Sequence, residues 1–282
     1  MFILIFIFEV VTFLSTCYSS EPNKRIINGT RAEDGLYPWI AHLKFELNGL
    51  RYYCGATIIS NEWLLTAAHC TWRRGDYDKG NPDFWNVQIG STTVVVNKMS
   101  KQDQQHQPKI AKPLHFRVEK IIIHPAHKVG ILYYDIALMK IKGRIPYIWK
   151  KSVPASLPTG RLSEQWPLMG TKCIIIGWGC TRYGGKRVDT AFVVELEVAS
   201  AQMCYGFFRV DLGHEFCAGY HNLGKGTCNG DSGNGLMCEH QGLMTIAGVS
   251  SAVHRSEPEN FPSIFVRVTA VIDWIRKTMA QN

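Results

Sequence analysis

The chain has 282 residues, 46% hydrophobic and 19% charged, with 31 Lys and Arg against 23 Asp and Glu for a net charge of +8. That is the composition of a globular protein with a sizeable core in one or two domains, and it excludes a fibrous or low-complexity chain. Basic residues gather at Arg73-Arg74 and between Lys98 and Lys120 with no nucleic-acid motif beside them, so solvated loops are expected, with weak polyanion binding as the alternative.

In chain order, residues 1–19 come first: an apolar run from Phe2 to Phe8, broken at Glu9 and resumed at Val10. A bilayer span takes roughly 20 apolar residues, so this run reads as a secretory signal peptide ending near Ser19, with an uncleaved anchor as the alternative. No other stretch is apolar enough to cross a membrane. Short apolar runs follow at 39–45, 55–59, 92–96, 118–123, 136–141, 173–178, 192–198, 243–249 and 264–268, most of them bounded by Gly, Pro, Asn or Asp. This spacing predicts an all-β barrel or sandwich rather than alternating strands and helices. Residues 72–83 and 97–113 are polar and turn-rich and read as exposed loops. Only the C-terminal segment predicts a helix, capped by Thr269, with Val271, Ile272, Ile275 and Met279 on one face.

Of the nine cysteines, Cys17 falls in the leader, which leaves an even number for an oxidising, extracellular compartment. No Cys-x-x-Cys pair occurs, so no metal site is expected, and no cofactor.

Three segments carry chemistry: Thr66-Ala67-Ala68-His69-Cys70, Asp135-Ile136-Ala137-Leu138 and Gly230-Asp231-Ser232-Gly233. A serine hydroxyl is a weak nucleophile that needs a base within hydrogen-bond reach, and the base needs a carboxylate to fix its tautomer. Alone, His69 reads as a surface histidine, Asp135 as a strand-edge carboxylate and Ser232 as a turn serine. Together they follow the chain order of one known solution to serine-nucleophile hydrolysis.

With Arg25-Ile26-Ile27-Asn28-Gly29, Gly177-Trp178-Gly179 and Phe265 to Val268 added, the chain from Arg25 onward resembles secreted serine endopeptidases of the trypsin/chymotrypsin family. The resemblance implies two packed six-stranded antiparallel β-barrels with a C-terminal α-helix. The active site would lie between the barrels of a peptidase domain at 26–282, behind a signal peptide (1–19) and a short propeptide (20–25). It implies His69, Asp135 and Ser232 as the triad, and the N–H groups of Gly230 and Ser232 as the oxyanion hole. Cleavage after Arg25 by another protease would free the Ile26 amine to pair with Asp231. Substrates would be proteins or peptides, and protein inhibitors are natural partners. The competing reading is an impaired relative that keeps the fold and binds a partner outside the cell.

The resemblance places Gly226 at the floor of the substrate pocket, with Ser250, Ser251, Ala252 and Ser263 around it. With no carboxylate at the floor, cleavage after basic residues is not expected; Ala252 and Ser263, standing where glycine is common, narrow the pocket toward small or medium apolar side chains. Ser250 is assigned to the serine that braces the buried aspartate, and Ser251 then replaces a tryptophan. Asn234 replaces a glycine, on the expectation that asparagine tolerates left-handed backbone. The family pairs Cys54–Cys70, Cys173–Cys238 and Cys204–Cys217; Cys180 and Cys228 remain, and are expected to pair unless both stay free thiols. No calcium is expected in the loop after Gly90. Asn28-Gly29-Thr30 is the only glycosylation sequon.

Overall fold

The computed structural model describes residues 27–71, 77–94, 112–128, 133–159 and 165–282. The signal peptide, Arg25, Ile26, the basic pair Arg73-Arg74 and most of the 97–113 loop, with the calcium question attached to it, lie outside these residues.

The apolar runs form strands because alternate side chains face a common core. In β2 (Ile40–Leu47), Leu43 and Phe45 are fully or almost fully buried. β2, β3 (Leu50–Ile58), β4 (Trp63–Thr66), β5 (Trp85–Ile89), β6 (Leu114–Ile123) and β7 (Ala137–Ile141) close an antiparallel barrel in the order β2-β3-β4-β7-β6-β5. Trp85, Phe45, Leu138 and Met139 fill its centre. Closure removes exposed sheet edges.

The second unit departs from a plain six-stranded barrel. It is a curled seven-stranded sheet made from β1 (Thr30–Arg31), β8 (Lys172–Gly177), β9 (Phe192–Glu197), β10 (Glu215–Ala218), β11 (Gly235–His240), β12 (Leu243–Ala252) and β13 (Ser263–Arg267), ordered β1-β9-β8-β11-β12-β13-β10. One bridge, Val198 to Ala218, joins the end of β9 to β10 and curls six of the strands into a ring. Ala199 N donates to Cys217 O (2.9 Å) and Gly219 N to Glu197 O (2.9 Å) beside it. β1 is an added edge.

Sequence pattern missed β4, β5, β10 and β11, which are short or continuously buried and show little alternation. It also missed helix α2 (Ala201–Phe208), whose Ser200 cap accepts from Met203 N at 3.1 Å. The 92–96 run makes only an isolated bridge at Thr93 among its described residues. The predicted C-terminal helix is present as α3 (Val268–Gln281), but it starts two residues earlier, with Arg267 at the cap position, and Thr269 does not cap it: its hydroxyl donates to Trp166 O at 3.1 Å. Val271 and Ile275 are buried, and Ile272 and Met279 pack partly buried against a core shared with both sheets.

Four disulfides cross-link the fold: Cys54–Cys70, Cys173–Cys238, Cys204–Cys217 and Cys180–Cys228, with Cα separations of 6.2, 4.3, 5.6 and 5.3 Å. The last joins the two cysteines that the family pattern left over.

Candidate active site

Strand pairing explains why residues far apart in sequence meet. β4 pairs β7 with Thr66 opposite Ala137, so short helix α1 (Ala68–Thr71), carrying His69, and Asp135, just before β7, emerge at the same barrel end. β11 pairs β12 with Gly235 opposite Val249, which brings Ser232 beside Ser250 and Ser251. The two units meet at Ser232, where Gly55 N donates to Ser232 O at 2.8 Å; within the second unit Gly233 N donates to Ser250 O at 2.8 Å.

Asp135 is fully buried, yet its carboxylate is satisfied. It accepts from His69 N (2.7 Å), from His69 Nδ1 (2.6 Å) and from Ser251 Oγ (2.6 Å). Burial pushes this carboxyl up, but the neighbouring His69 and the hydrogen bonds from His69 and Ser251 outweigh it and hold it below its ordinary value. Nδ1–H therefore donates to Asp135, leaving Nε2 to accept a proton. His69 and Ser232 line one cavity of about 370 Å³, with no hydrogen bond between Nε2 and Oγ. Such bonds often tighten only with substrate bound. Cys54, His69 and Cys70 also present their ligand atoms within 4.8 Å of one another, but the sulfurs are bonded to each other and offer no thiolate to a metal.

The brace on Asp135 corrects the sequence reading: it comes from Ser251, not Ser250. A bulge between Ser250 and Ala252, where Ser250 faces Phe265 and Ala252 faces Ile264, leaves Ser251 as the extra residue and turns its hydroxyl to Asp135. The correspondence with the family moves by one residue. On that register the resemblance puts Ala252 where the family has tryptophan and Val253 where it has glycine. Val253 was not singled out in the sequence, because two adjacent serines leave a one-residue ambiguity that no periodicity resolves.

Ser250, Ser251 and Ala252 line the cavity as expected, joined by Tyr183, Asn229, Val253, His254 and Arg255. Gly226 and Ser263 are buried but do not line it. A Cβ on Gly226 would lie 2.7 Å from Pro258 O, and Pro258 itself lines the cavity. The Thr227 and Ser263 hydroxyls share a hydrogen bond of 2.7 Å, both fully buried. The two residues expected at the floor are therefore closed off from the cavity.

Asn234 also corrects the sequence reading. It does not use left-handed backbone; its side chain donates to Asp231 O at 3.1 Å and fills the space over Gly55, where a Cβ would lie 1.9 Å from Asn234 Oδ1. Gly230 does need glycine, with φ of +105° and the Arg187 stem against it. Asp231 is fully buried and accepts from Gly179 N (2.8 Å) and Cys228 N (2.9 Å), and burial pushes its carboxyl up to about 6. Ile27 packs with Cys180 and Cys228, and its carbonyl accepts from Gly226 N at 3.2 Å. Asn28 is exposed, its Nδ2 donating to Gly224 O at 2.9 Å.

The family model described as Trypsin matches residues 26–275. Among curated proteins, transmembrane protease serine 9 of Rattus norvegicus is 30% identical over 278 residues, covering 96% of this chain and 24% of that protein. Coagulation factor XI of Bos taurus is 29% identical over 253 residues (89% and 37%). Transmembrane protease serine 7 of Homo sapiens is 30% identical over 264 residues (92% and 28%). The chain thus spans between 24% and 37% of the length of these relatives. Among the described residues no helix is long and apolar enough to cross a membrane.

Proposed function

This chain belongs to the trypsin family of serine proteases, and from that premise we propose a secreted endopeptidase, made as a zymogen, that cuts after small or medium apolar residues. The carrying observation is the Asp135–His69 pair at 2.6 Å, further braced by Ser251 and facing Ser232 across one cavity. His69 Nε2 takes the Ser232 proton as Oγ bonds to the substrate carbonyl carbon, and the carbonyl oxygen becomes the oxyanion held by the Gly230 and Ser232 N–H groups. The same proton passes to the leaving amine as the peptide C–N bond breaks, giving the acyl-enzyme. Water then repeats the sequence and releases the acid. Asp135 stays ionised throughout and stabilises the imidazolium.

The pocket reading rests on charge and depth. Among the described residues no carboxylate lines the cavity, Arg255 does, and Gly226 and Ser263, expected at its floor, are closed off from it. A lysine or arginine side chain would enter unpaired, at a high desolvation cost. The zymogen reading rests on Asp231, a buried carboxylate with two N–H donors and no cation partner among the described residues. Ile27 already sits against Cys228, so a new amine at Ile26 would arrive in the same neighbourhood. Breaking such a buried pair costs about 3–5 kcal/mol, enough to order or disorder the oxyanion loop. Without a pocket for basic residues, the protein needs a separate protease to cut after Arg25. Secretion is supported by the four disulfides.

The missing Nε2–Oγ hydrogen bond is what favours the impaired-relative reading. One experiment separates the two: cut the chain after Arg25, add a serine-directed fluorophosphonate and follow labelling. Stoichiometric labelling that Ser232→Ala abolishes supports the enzyme. Absence of labelling in the cut, folded protein overturns it.

A further inference from the structure

A second hollow, of about 280 Å³, is lined by Tyr53, Trp178, Lys186 and Arg187 among others. Its position relative to the reaction follows from three contacts. His69 Nε2, which hands its proton to the leaving amine, lies 4.0 Å from Cys70 Sγ. Cys70 is bonded to Cys54, and Tyr53 is the next residue along. The Arg187 stem packs on Gly230, since a Cβ there would lie 2.4 Å from Arg187 Cδ. The hollow therefore flanks the path by which the amine half of the substrate leaves.

Arg187 is held there in a receptive state. Its guanidinium lies over the Tyr53 ring, 3.9 Å from the centroid. Arginine stacked on an aromatic face keeps its edge donors free and pre-oriented for a carboxylate. Among the described residues no carboxylate forms an ion pair with it, although Asp189 lines the same hollow. Its backbone is pinned as well: Arg187 bridges Cys180, and Cys180 is bonded to Cys228, two residues before Gly230. The extra cysteine thus ties the arginine-bearing segment to the oxyanion loop. Lys186 adds positive charge, and buried His42 in the same hollow is held neutral, pushed down to about 3 by burial and by Arg187.

We propose that Arg187, spread over Tyr53, forms a leaving-side subsite that selects substrates with an acidic residue within a few positions after the cut bond. This rests on the endopeptidase reading and names a further element of its specificity. A charge-assisted, partly desolvated contact of this kind is worth about a factor of ten in selectivity.

The test uses the chain cut after Arg25 and quenched fluorescent peptides identical on the acyl side, with Glu, Gln or Lys at each of the first three leaving-side positions. Glu is expected to exceed Lys in kcat/KM by about tenfold at one position, less at 0.5 M salt. In Arg187→Gln that ratio should fall to about one, and Arg187→Lys should restore part of it. A wild-type ratio near one, or a ratio unchanged in Arg187→Gln, overturns the proposal. Binding gives a readout independent of catalysis: in the Ser232→Ala background, fluorescence anisotropy of the leaving-side fragments should favour Glu over Lys, and Arg187→Gln should erase the difference. Equal binding of the two fragments overturns the subsite even if the peptides are cut. A Glu preference without turnover upholds it while removing the enzyme.

Discussion

In the first barrel, the buried carboxylate Asp135 is fully satisfied, accepting from His69 twice and from Ser251 across the cleft. The second unit is built differently. Glu215 Oε1, Asn234 Oδ1, Glu259 Oε2 and Arg267 Nε are buried there without a hydrogen-bond partner, against Trp39 Nε1 alone from the first unit's described residues. Three of the four disulfides also lie in the second unit. An unpartnered buried polar atom costs roughly 1–3 kcal/mol, and cross-links offset such losses by restricting the unfolded chain. The contrast separates two settings: one half presents His69 and Asp135 on a well-satisfied platform, while the other carries the Ser232 loop and the cavity wall on a polar, cross-linked frame.

The largest test of this contrast strikes the platform. Asp135→Asn should lower kcat of the cut enzyme by about 10⁴, because the amide favours the wrong imidazole tautomer, while the melting temperature moves little. Peptide turnover alongside thermal unfolding checks both halves of that statement, and a drop under tenfold would remove the platform's role.

Next comes the frame. Replacing Cys180 and Cys228 with serine opens a cross-link across 48 residues and should cost about 2–4 kcal/mol in urea unfolding. An unchanged midpoint would show that the second unit does not depend on its extra bond.

Third is the buried acid. Burial pushes Glu215 up to about 7, so the folded state holds its proton between pH 4.5, the ordinary value, and about 7, where the unfolded state has lost it. Its stabilising contribution is therefore present below pH 4.5 and lost as pH rises toward 7. Glu215→Gln removes that slope and should be more stable than wild type at pH 8 by about 1–3 kcal/mol. Asp231, also raised, would leave a residual slope of the same sign below about pH 6 in the uncut chain. Chemical unfolding at pH 5 and pH 8 reads the difference, and equal destabilisation at both would sink it.

The smallest effect discriminates most finely. Ser251→Ala should reduce kcat/KM several-fold and move its acid limb to higher pH, since Asp135 loses a donor to its charged form. Ser250→Ala should do neither. The reverse pattern would return the brace to Ser250.

Much of the site was legible before folding, for reasons of local chemistry. His69, Asp135 and Ser232 each sit in a segment whose neighbours are as constrained as the residue itself, so the chain order alone was informative. Strands β2, β3, β6, β7, β8, β9, β12 and β13 showed as apolar runs, and the C-terminal helix showed its buried face. The strands without alternation gave no such signal, and α2 was missed although Ser200 caps it.

The amino-acid sequence by itself determined the family, the candidate triad residues and which cysteines were left to pair, because these depend on residue type and order. Only the tertiary structure decided that Ser251 braces Asp135, that Val253 and Arg255 shape the pocket, that Asn234 fills a notch rather than a left-handed turn, and that Arg187 lies on Tyr53. Each of these depends on a bulge, a cross-strand register or a contact between the two units, where a shift of one residue changes which side chain faces the cleft.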